Sequence, residues 1–318
     1  MEDRELNARL RGRDFLTLAD FTPEEIAGLL DVAAGFKAGC PAAPLAGKTV
    51  GLLFRKASTR TRVSFEVAVY QLGGHSLFLT NQDLQLGRGE PVADTARVLS
   101  RYLQALVVRT FAHEELEELA RYADIPVING LTDLLHPCQV LADLLTVREK
   151  KGKLAGVKLA FIGDGNNMAH SLLLGGVLAG MEVRVATPPG YGPQPRIVAR
   201  AEEIARQTGA AIAVTADPRQ AAAGADVLYT DVWASMGQET EAEARRNDFA
   251  GYQINDTLLA AAAPEAVVMH CLPAHRGEEI TAGVLAGPQA VVWDQAENRL
   301  HAQKAILAML LGEEGSMS

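Results

Sequence analysis

Ser58-Thr59-Arg60-Thr61-Arg62 follows the apolar run Thr49–Phe54 and leads into a helical pattern beginning near Val63. Helix starts expose unpaired N–H groups and the positive end of the peptide dipole, so they favour acidic side chains. Two arginines at such a point call for a negative partner. Backbone N–H groups, hydroxyls and two guanidinium forks converging on one terminus suit an anion of phosphate size. A solvated basic turn is the competing reading of this stretch alone. Of the two arginines, Arg60 is read as the contact group and Arg62, further into the helix, as a partner that holds the motif in place.

Further polar groups fall where apolar runs stop. His136-Pro137-Cys138-Gln139 opens a helix with proline in its first turn, where no amide hydrogen is needed. There an imidazole is either a cap or a donor to a developing oxyanion, and the Gln139 amide can donate or accept toward a planar amide-like group. Asp231-Val232-Trp233-Ala234-Ser235-Met236-Gly237 leaves another apolar run, and its acid is either a turn cap or the partner of a substrate ammonium. In His270-Cys271-Leu272-Pro273, Cys271 is either an inert buried thiol or a polar group at a reacting centre. Arg109 and Arg299 add positive charge near element ends. Gly163-Asp164-Gly165-Asn166-Asn167 raises the possibility of a dinucleotide turn. Met168 replaces the third glycine, however, and the strand ending Ala186-Thr187-Pro188 lacks the acid that would hold a ribose.

Short runs rich in Val, Leu and Ile alternate with longer amphipathic segments, the pattern of parallel strands joined by crossover helices. Strands are expected near Thr49–Phe54, Ser76–Leu79, Ala105–Arg109, Pro126–Ile128, Lys158–Gly163, Glu182–Ala186, Ala211–Val214, Val227–Thr230, Ala266–His270 and Ala290–Trp293. The fold class is therefore α/β, with two doubly wound domains, each a central parallel sheet flanked by helices. The domains are expected at 1–135, rejoined by a C-terminal helix at 297–318, and at 154–296, with a linking helix at 136–153. The helix after the arginine motif carries Val63, Val67 and Tyr70 on one side and Phe65, Ala68 and Leu72 on the other, which predicts burial on more than one face.

The length of 318 residues suits two cores, and 48% hydrophobic with 22% charged content is that of an ordinary globular chain. A net charge of −9 without a basic run argues against nucleic-acid binding, so any anion site is local. No apolar stretch reaches membrane-span length, and the charged N-terminus has no signal-peptide core. Cys40, Cys138 and Cys271 are widely spaced and odd in number, which fits a reducing compartment better than a disulfide framework and lacks zinc-site spacing. A cytoplasmic location is the expectation.

Taken in order, the Ser58–Arg62 motif, His136-Pro137-Cys138-Gln139, the Asp231…Ser235-Met236-Gly237 loop and His270-Cys271-Leu272-Pro273 resemble the aspartate and ornithine carbamoyltransferase family over nearly the whole chain. The resemblance implies a carbamoyl phosphate site made by Ser58, Thr59, Arg60, Thr61, Gln85, Arg109, His136, Gln139, Cys271, Leu272 and Arg299. Gln85 is implied to act in its own or a neighbouring subunit. For the acceptor amino acid it implies Asn167, Asp231, Ser235 and Met236. Arg109, His136, Asp231 and Cys271 are the residues expected to serve the chemistry. The Ser-Met-Gly and His-Cys-Leu-Pro segments resemble the ornithine branch, implying carbamoyl transfer to the δ-amine of L-ornithine to give citrulline and phosphate. Putrescine is the nearer competing acceptor. No metal or organic cofactor is implied, since the leaving group is already activated, and a homotrimer or an assembly of trimers follows from the resemblance. A nicotinamide enzyme built on the Gly163 turn and a non-catalytic sensor are the readings from other classes.

Overall fold

The computed structural model describes residues 3–40, 42–80, 84–85, 89–235, 237 and 239–313. The chain divides into two compact units, one of Met1–Leu145 with Asn298–Ser318 and the other of Thr146–Glu297. The first unit contains α1 (Asp3–Leu10), α2 (Pro23–Lys37), β1 (Thr49–Phe54), α3 (Thr59–Gln71), β2 (His75–Thr80), α4 (Val92–Leu99), β3 (Ala105–Arg109), α5 (His113–Tyr122) and β4 (Val127–Leu131). It also takes the first turns of α6 (Pro137–Lys151), inside which the first boundary falls. The second contains β5 (Lys158–Ile162), α7 (Asn167–Leu178), β6 (Glu182–Ala186), α8 (Pro195–Thr208), β7 (Ala211–Thr215), α9 (Pro218–Ala222), β8 (Val227–Thr230), α10 (Ala242–Asp248), α11 (Asp256–Leu259), β9 (Val267–His270) and α12 (Ala282–Ala286). The second boundary lies inside α13 (Val292–Leu311).

Strand order is β2-β1-β3-β4 in one unit and β7-β6-β5-β8-β9 in the other, and every pairing is parallel. The class is thus α/β with two doubly wound sheets. Each winding reverses direction once, between β1 and β3 in the first sheet and between β5 and β8 in the second. At such reversals the crossovers diverge and leave a crevice at the carboxyl ends of the strands. The strands reach these crevices as unbroken apolar runs because both sheet faces are covered: β3 is buried along its whole length, and β1 everywhere but its first residue. Gly51 in β1 is needed for this packing, since a Cβ there would lie 2.6 Å from Leu103 Cδ1. In the second unit Phe249, Trp233, Leu228, Ile162 and Val268 belong to one buried cluster.

Three expectations fail, each for a local reason. The tenth strand, Ala290–Trp293, is absent: Ala290 makes a single bridge to Val268, and helix α13 begins at Val292 with Asp294 in its first turn, where the dipole favours an acid. Helix α3 begins at Thr59 rather than near Val63, because the Ser58 Oγ accepts from the Thr61 N–H at 3.2 Å and caps it. Burial on two faces of α3 is also wrong. Phe65, Ala68, Val69 and Leu72 form one buried stripe, whereas Val63 and Tyr70 are 50% and 80% exposed.

Candidate active site

The first-unit residues expected to bind an anion gather at the ends of β1, β3 and β4. The register Phe54↔Arg109 and the 2.8 Å bond from the Arg55 N–H to the Arg109 carbonyl place Arg109 beside the loop that enters α3. The first turn of α3 contains no acid, so its amides and Arg60 meet no compensating charge there. Arg60 is half-buried, and among the described residues its guanidinium has no hydrogen-bond or ion-pair partner. Arg62 is different. Its Nε donates to Glu66 at 2.9 Å, and its guanidinium lies 3.6 Å from the Phe78 ring centroid.

Thr61 is 1% exposed, and its Oγ1 accepts from Arg299 Nη2 at 2.6 Å. A hydroxyl that accepts from a guanidinium keeps its own proton for another acceptor. Arg109 and Arg299 are both buried, and together with burial they hold the His136 imidazole well below its usual pKa, burial being the larger cause. His136 is therefore neutral near pH 7 and has one N–H to give. One turn into α6, the Gln139 Nε2 donates to Asp143 at 2.9 Å. With the amide nitrogen turned to Asp143, the buried Gln139 Oε1, which has no partner among the described residues, is left as an acceptor. The first unit thus presents three guanidiniums, a hydroxyl, a neutral imidazole and an amide carbonyl from the ends of β1, β3 and β4, the starts of α3 and α6, and α13. It can hold a doubly charged phosphate together with a small group offering both C=O and N–H. Ser58 and Thr59 lie at the same terminus. Gln85 is exposed, with its carbonyl accepting from the Glu90 N–H at 3.2 Å.

In the second unit the focus is Asp231, 7% exposed, just past β8. Its Oδ1 accepts from Cys271 Sγ at 3.0 Å and from the Val232 N–H at 2.8 Å, and its Oδ2 accepts from Asn166 Nδ2 at 3.0 Å. Asp231 and Cys271 are thus brought together from β8 and β9. Asn166 was not expected here. It caps α7 through its Oδ1, which accepts from the Met168 and Ala169 amides, and this turns the Nδ2 toward Asp231. Asn167 is half-buried as the first residue of α7, Ser235 is half-buried on the loop after β8, and Met236 lies outside the described residues. Leu272 is half-buried with φ +59, a conformation that costs a residue with a Cβ roughly 1–2 kcal/mol.

The Gly163 turn does not need a nucleotide to explain its glycines. A Cβ on Gly165 would come within 2.4 Å of the Gly192 carbonyl carbon and the Pro193 nitrogen, and the Gly165 N–H donates to the Tyr191 carbonyl at 2.8 Å. Ligand atoms of Asp231, His270 and Cys271 lie within 4.8 Å of one another, close enough to share a metal ion. Both His270 ring nitrogens are already engaged, Nδ1 by the Leu272 N–H at 2.8 Å and Nε2 by Glu279 at 3.1 Å, so this cluster is hydrogen-bonded rather than arranged as ligands.

Asp164 is tied through Arg245 to the loop that follows β8. Arg245 Nη1 donates to Asp164 Oδ2 at 3.0 Å and to the Trp233 carbonyl at 2.9 Å, while its Nε donates to Glu241 at 3.0 Å. Burial outweighs the attraction of Arg245 and pushes the Asp164 carboxyl up from 3.8 to about 6. Between those values the folded chain holds a proton that the unfolded chain has released. This group's contribution is therefore largest at low pH and is lost as pH rises through about 6. The difference in unfolding free energy between the parent and Asp164→Asn is expected to fall as pH rises from about 4 to 6 in urea titrations; a difference that grows over that window would mean Asp164 is ionised throughout.

Two doubly wound units, one with a cationic pocket fit for a phosphate and the other with a buried carboxylate at its crevice, define an α/β group-transfer enzyme of two domains. Family models match both: the aspartate/ornithine carbamoyltransferase carbamoyl-P binding domain over residues 13–149 and the Asp/Orn binding domain over residues 155–310. The chain belongs to the aspartate/ornithine carbamoyltransferase family and is a carbamoyltransferase. It is 58% identical over 308 residues to the ornithine carbamoyltransferase of Oceanobacillus iheyensis, covering 96% of each chain. Its structure resembles that of ornithine carbamoyltransferase from Pyrococcus furiosus, with a TM-score of 0.92 and 56% identity over 95% of this chain and 98% of that one. The Gloeobacter violaceus enzyme is similar at a TM-score of 0.87 and 57% identity, over 95% and 100% of the two chains.

Proposed function

We propose that this carbamoyltransferase takes L-ornithine as its acceptor and forms citrulline and phosphate from carbamoyl phosphate. The observation that carries the choice of acceptor is Asp231, a carboxylate 7% exposed and held by three donors in the Asp/Orn binding domain. A fixed negative charge at that point attracts an acceptor bearing a side-chain ammonium and repels the second carboxylate of aspartate. The names of the relatives agree with this reading.

In the proposed reaction the phosphate rests on the α3 terminus with Ser58, Thr59, Arg60 and Thr61, and the exposed Gln85 adds a contact. Arg109, His136 and Thr61 donate to the carbamoyl oxygen as it gains charge, a single such donor being worth about 3 kcal/mol in a transition state. Gln139 Oε1 accepts from the carbamoyl NH2, and Leu272 and Arg299 complete the carbamoyl environment. Asn167, Ser235 and Met236 hold the amino-acid end of ornithine, while Asp231 and Cys271 orient its δ-nitrogen. That nitrogen must shed a proton to attack; its lone pair then forms the C–N bond as the C–O bond to phosphate breaks. Arg60 and the helix terminus accept the charge of the departing phosphate.

The test is product formation from carbamoyl phosphate with ornithine, putrescine and aspartate in parallel. Ornithine is expected to be carbamoylated at least about a hundredfold more efficiently than the other two, the scale of one lost charge-assisted contact. Preference for putrescine or aspartate would overturn the assignment. A homotrimer or an assembly of trimers in the cytoplasm is the assembly and location we favour. The exposed Val63 and Tyr70 on α3 offer apolar surface for a subunit contact, and sedimentation at three times the chain mass or a multiple of that is the expected result.

A further inference from the structure

The segment Cys271–His275 is anchored by two residues that the mechanism above does not use. His270 and Glu279 are both 0% exposed at their side chains. His270 Nδ1 accepts from the Leu272 N–H at 2.8 Å, so that nitrogen carries no proton. The ring proton is therefore on Nε2 and is donated to Glu279 Oε1 at 3.1 Å. The same oxygen accepts from the His275 N–H at 2.5 Å. One carboxyl oxygen thus ties down both ends of the segment, the first through the imidazole and the second directly. The backbone at His270 is fixed in turn, its N–H donating to Gln295 Oε1 at 2.9 Å, while Gln295 Nε2 donates to the Tyr229 hydroxyl at 3.0 Å.

Glu279 Oε2 is buried with no partner among the described residues, an arrangement that weakens a fold. What the carboxyl does hold is a left-handed Leu272 next to the thiol that donates to Asp231.

We propose that Glu279, acting through His270, is a positioning residue for the acceptor. It fixes the imidazole tautomer, the tautomer fixes the Leu272 amide, and the left-handed turn so formed aims Cys271 at Asp231. This rests on the reading that Asp231 and Cys271 receive ornithine. Loss of the anchor leaves carbamoyl phosphate binding intact and misplaces the amine.

The experiment is steady-state kinetics for both substrates with Glu279→Ala, Glu279→Gln, His270→Asn and His270→Gln, alongside the parent. Glu279→Ala is expected to lower kcat/KM for ornithine about 10–100-fold with the KM for carbamoyl phosphate within about threefold, the range seen when an outer-shell orienting partner is lost. Glu279→Gln keeps an oxygen that accepts from both donors and is expected to recover to within about threefold of the parent. His270→Asn retains an acceptor near the place of Nδ1 and is expected to exceed His270→Gln, which does not. The proposal is overturned if Glu279→Ala leaves ornithine kinetics within about twofold of the parent, or if both substrates suffer equally. Should Glu279→Ala fail to fold, the histidine pair decides: equal activities contradict the proposal. A parent that does not carbamoylate ornithine would overturn the underlying reading instead, so the two failures are separable.

Discussion

Asp231→Asn is expected to lower kcat/KM for ornithine by about a thousandfold while the KM for carbamoyl phosphate moves by less than about threefold, as measured in steady-state assays. The substitution keeps the shape of the side chain and removes only its charge. In the parent, the carboxylate receives the Cys271 thiol, the Val232 amide and the Asn166 amide, all of them donors. An asparagine must turn an NH2 toward at least one of these, leaving a buried donor facing a donor. It also leaves an ornithine ammonium without its counter-charge. Breaking a buried charge pair by removing one partner costs about 3–5 kcal/mol, which corresponds to roughly 10²–10⁴ in rate. Near-normal ornithine kinetics in Asp231→Asn would show that the amine is held elsewhere.

Arg60→Ala is expected to reduce kcat/KM for carbamoyl phosphate by roughly 10²–10³, since a hydrogen bond to a charged group contributes about 1.5–3 kcal/mol and a guanidinium makes two to a phosphate. Its half-buried setting and its lack of a partner among the described residues leave the whole fork for a ligand. Arg60→Lys should recover only part of the loss, because an ammonium cannot reproduce the paired geometry. Arg62→Ala is the contrasting case, with an expected loss under about tenfold. Its charge is satisfied by Glu66 in a pair whose side chains are 45% and 34% exposed, and such surface pairs contribute little. If the two alanine variants lose activity equally, the separation of the arginines into contact and support is wrong.

What could be read before the structure was whatever depends on near neighbours in the chain. The buried strands were legible because burial on both faces leaves mostly apolar residues; Thr49–Phe54 and Ala105–Arg109 match residue for residue. Polar residues closing those runs, such as Arg109 and Asp231, stood out for the same reason. The Ala290–Trp293 run misled because four apolar residues fit a strand or a buried helix start equally well, and Val292 is in fact the buried first residue of α13. Val63 and Tyr70 misled because apolar residues on a helix imply burial only where a neighbour exists to cover them. The supporting groups were out of reach. Asn166 is marked locally only as a possible cap, and its bond to Asp231 spans 65 positions. The Asp164–Arg245 pair spans 81 positions, and Glu279 reaches His270 through a loop with no periodicity to betray it.

The proposed reaction is a single bond exchange, from phosphate oxygen to ornithine nitrogen, and isotopic labelling follows that exchange directly. With carbamoyl phosphate labelled at its carbonyl carbon, the purified chain and excess ornithine, nuclear magnetic resonance should show the label moving into the ureido carbon of citrulline. One phosphate should be released per citrulline formed, and Asp231→Asn should slow both together. Phosphate released without labelled citrulline, or label appearing in carbamoyl putrescine or carbamoyl aspartate in preference to citrulline when the acceptors compete, would contradict it.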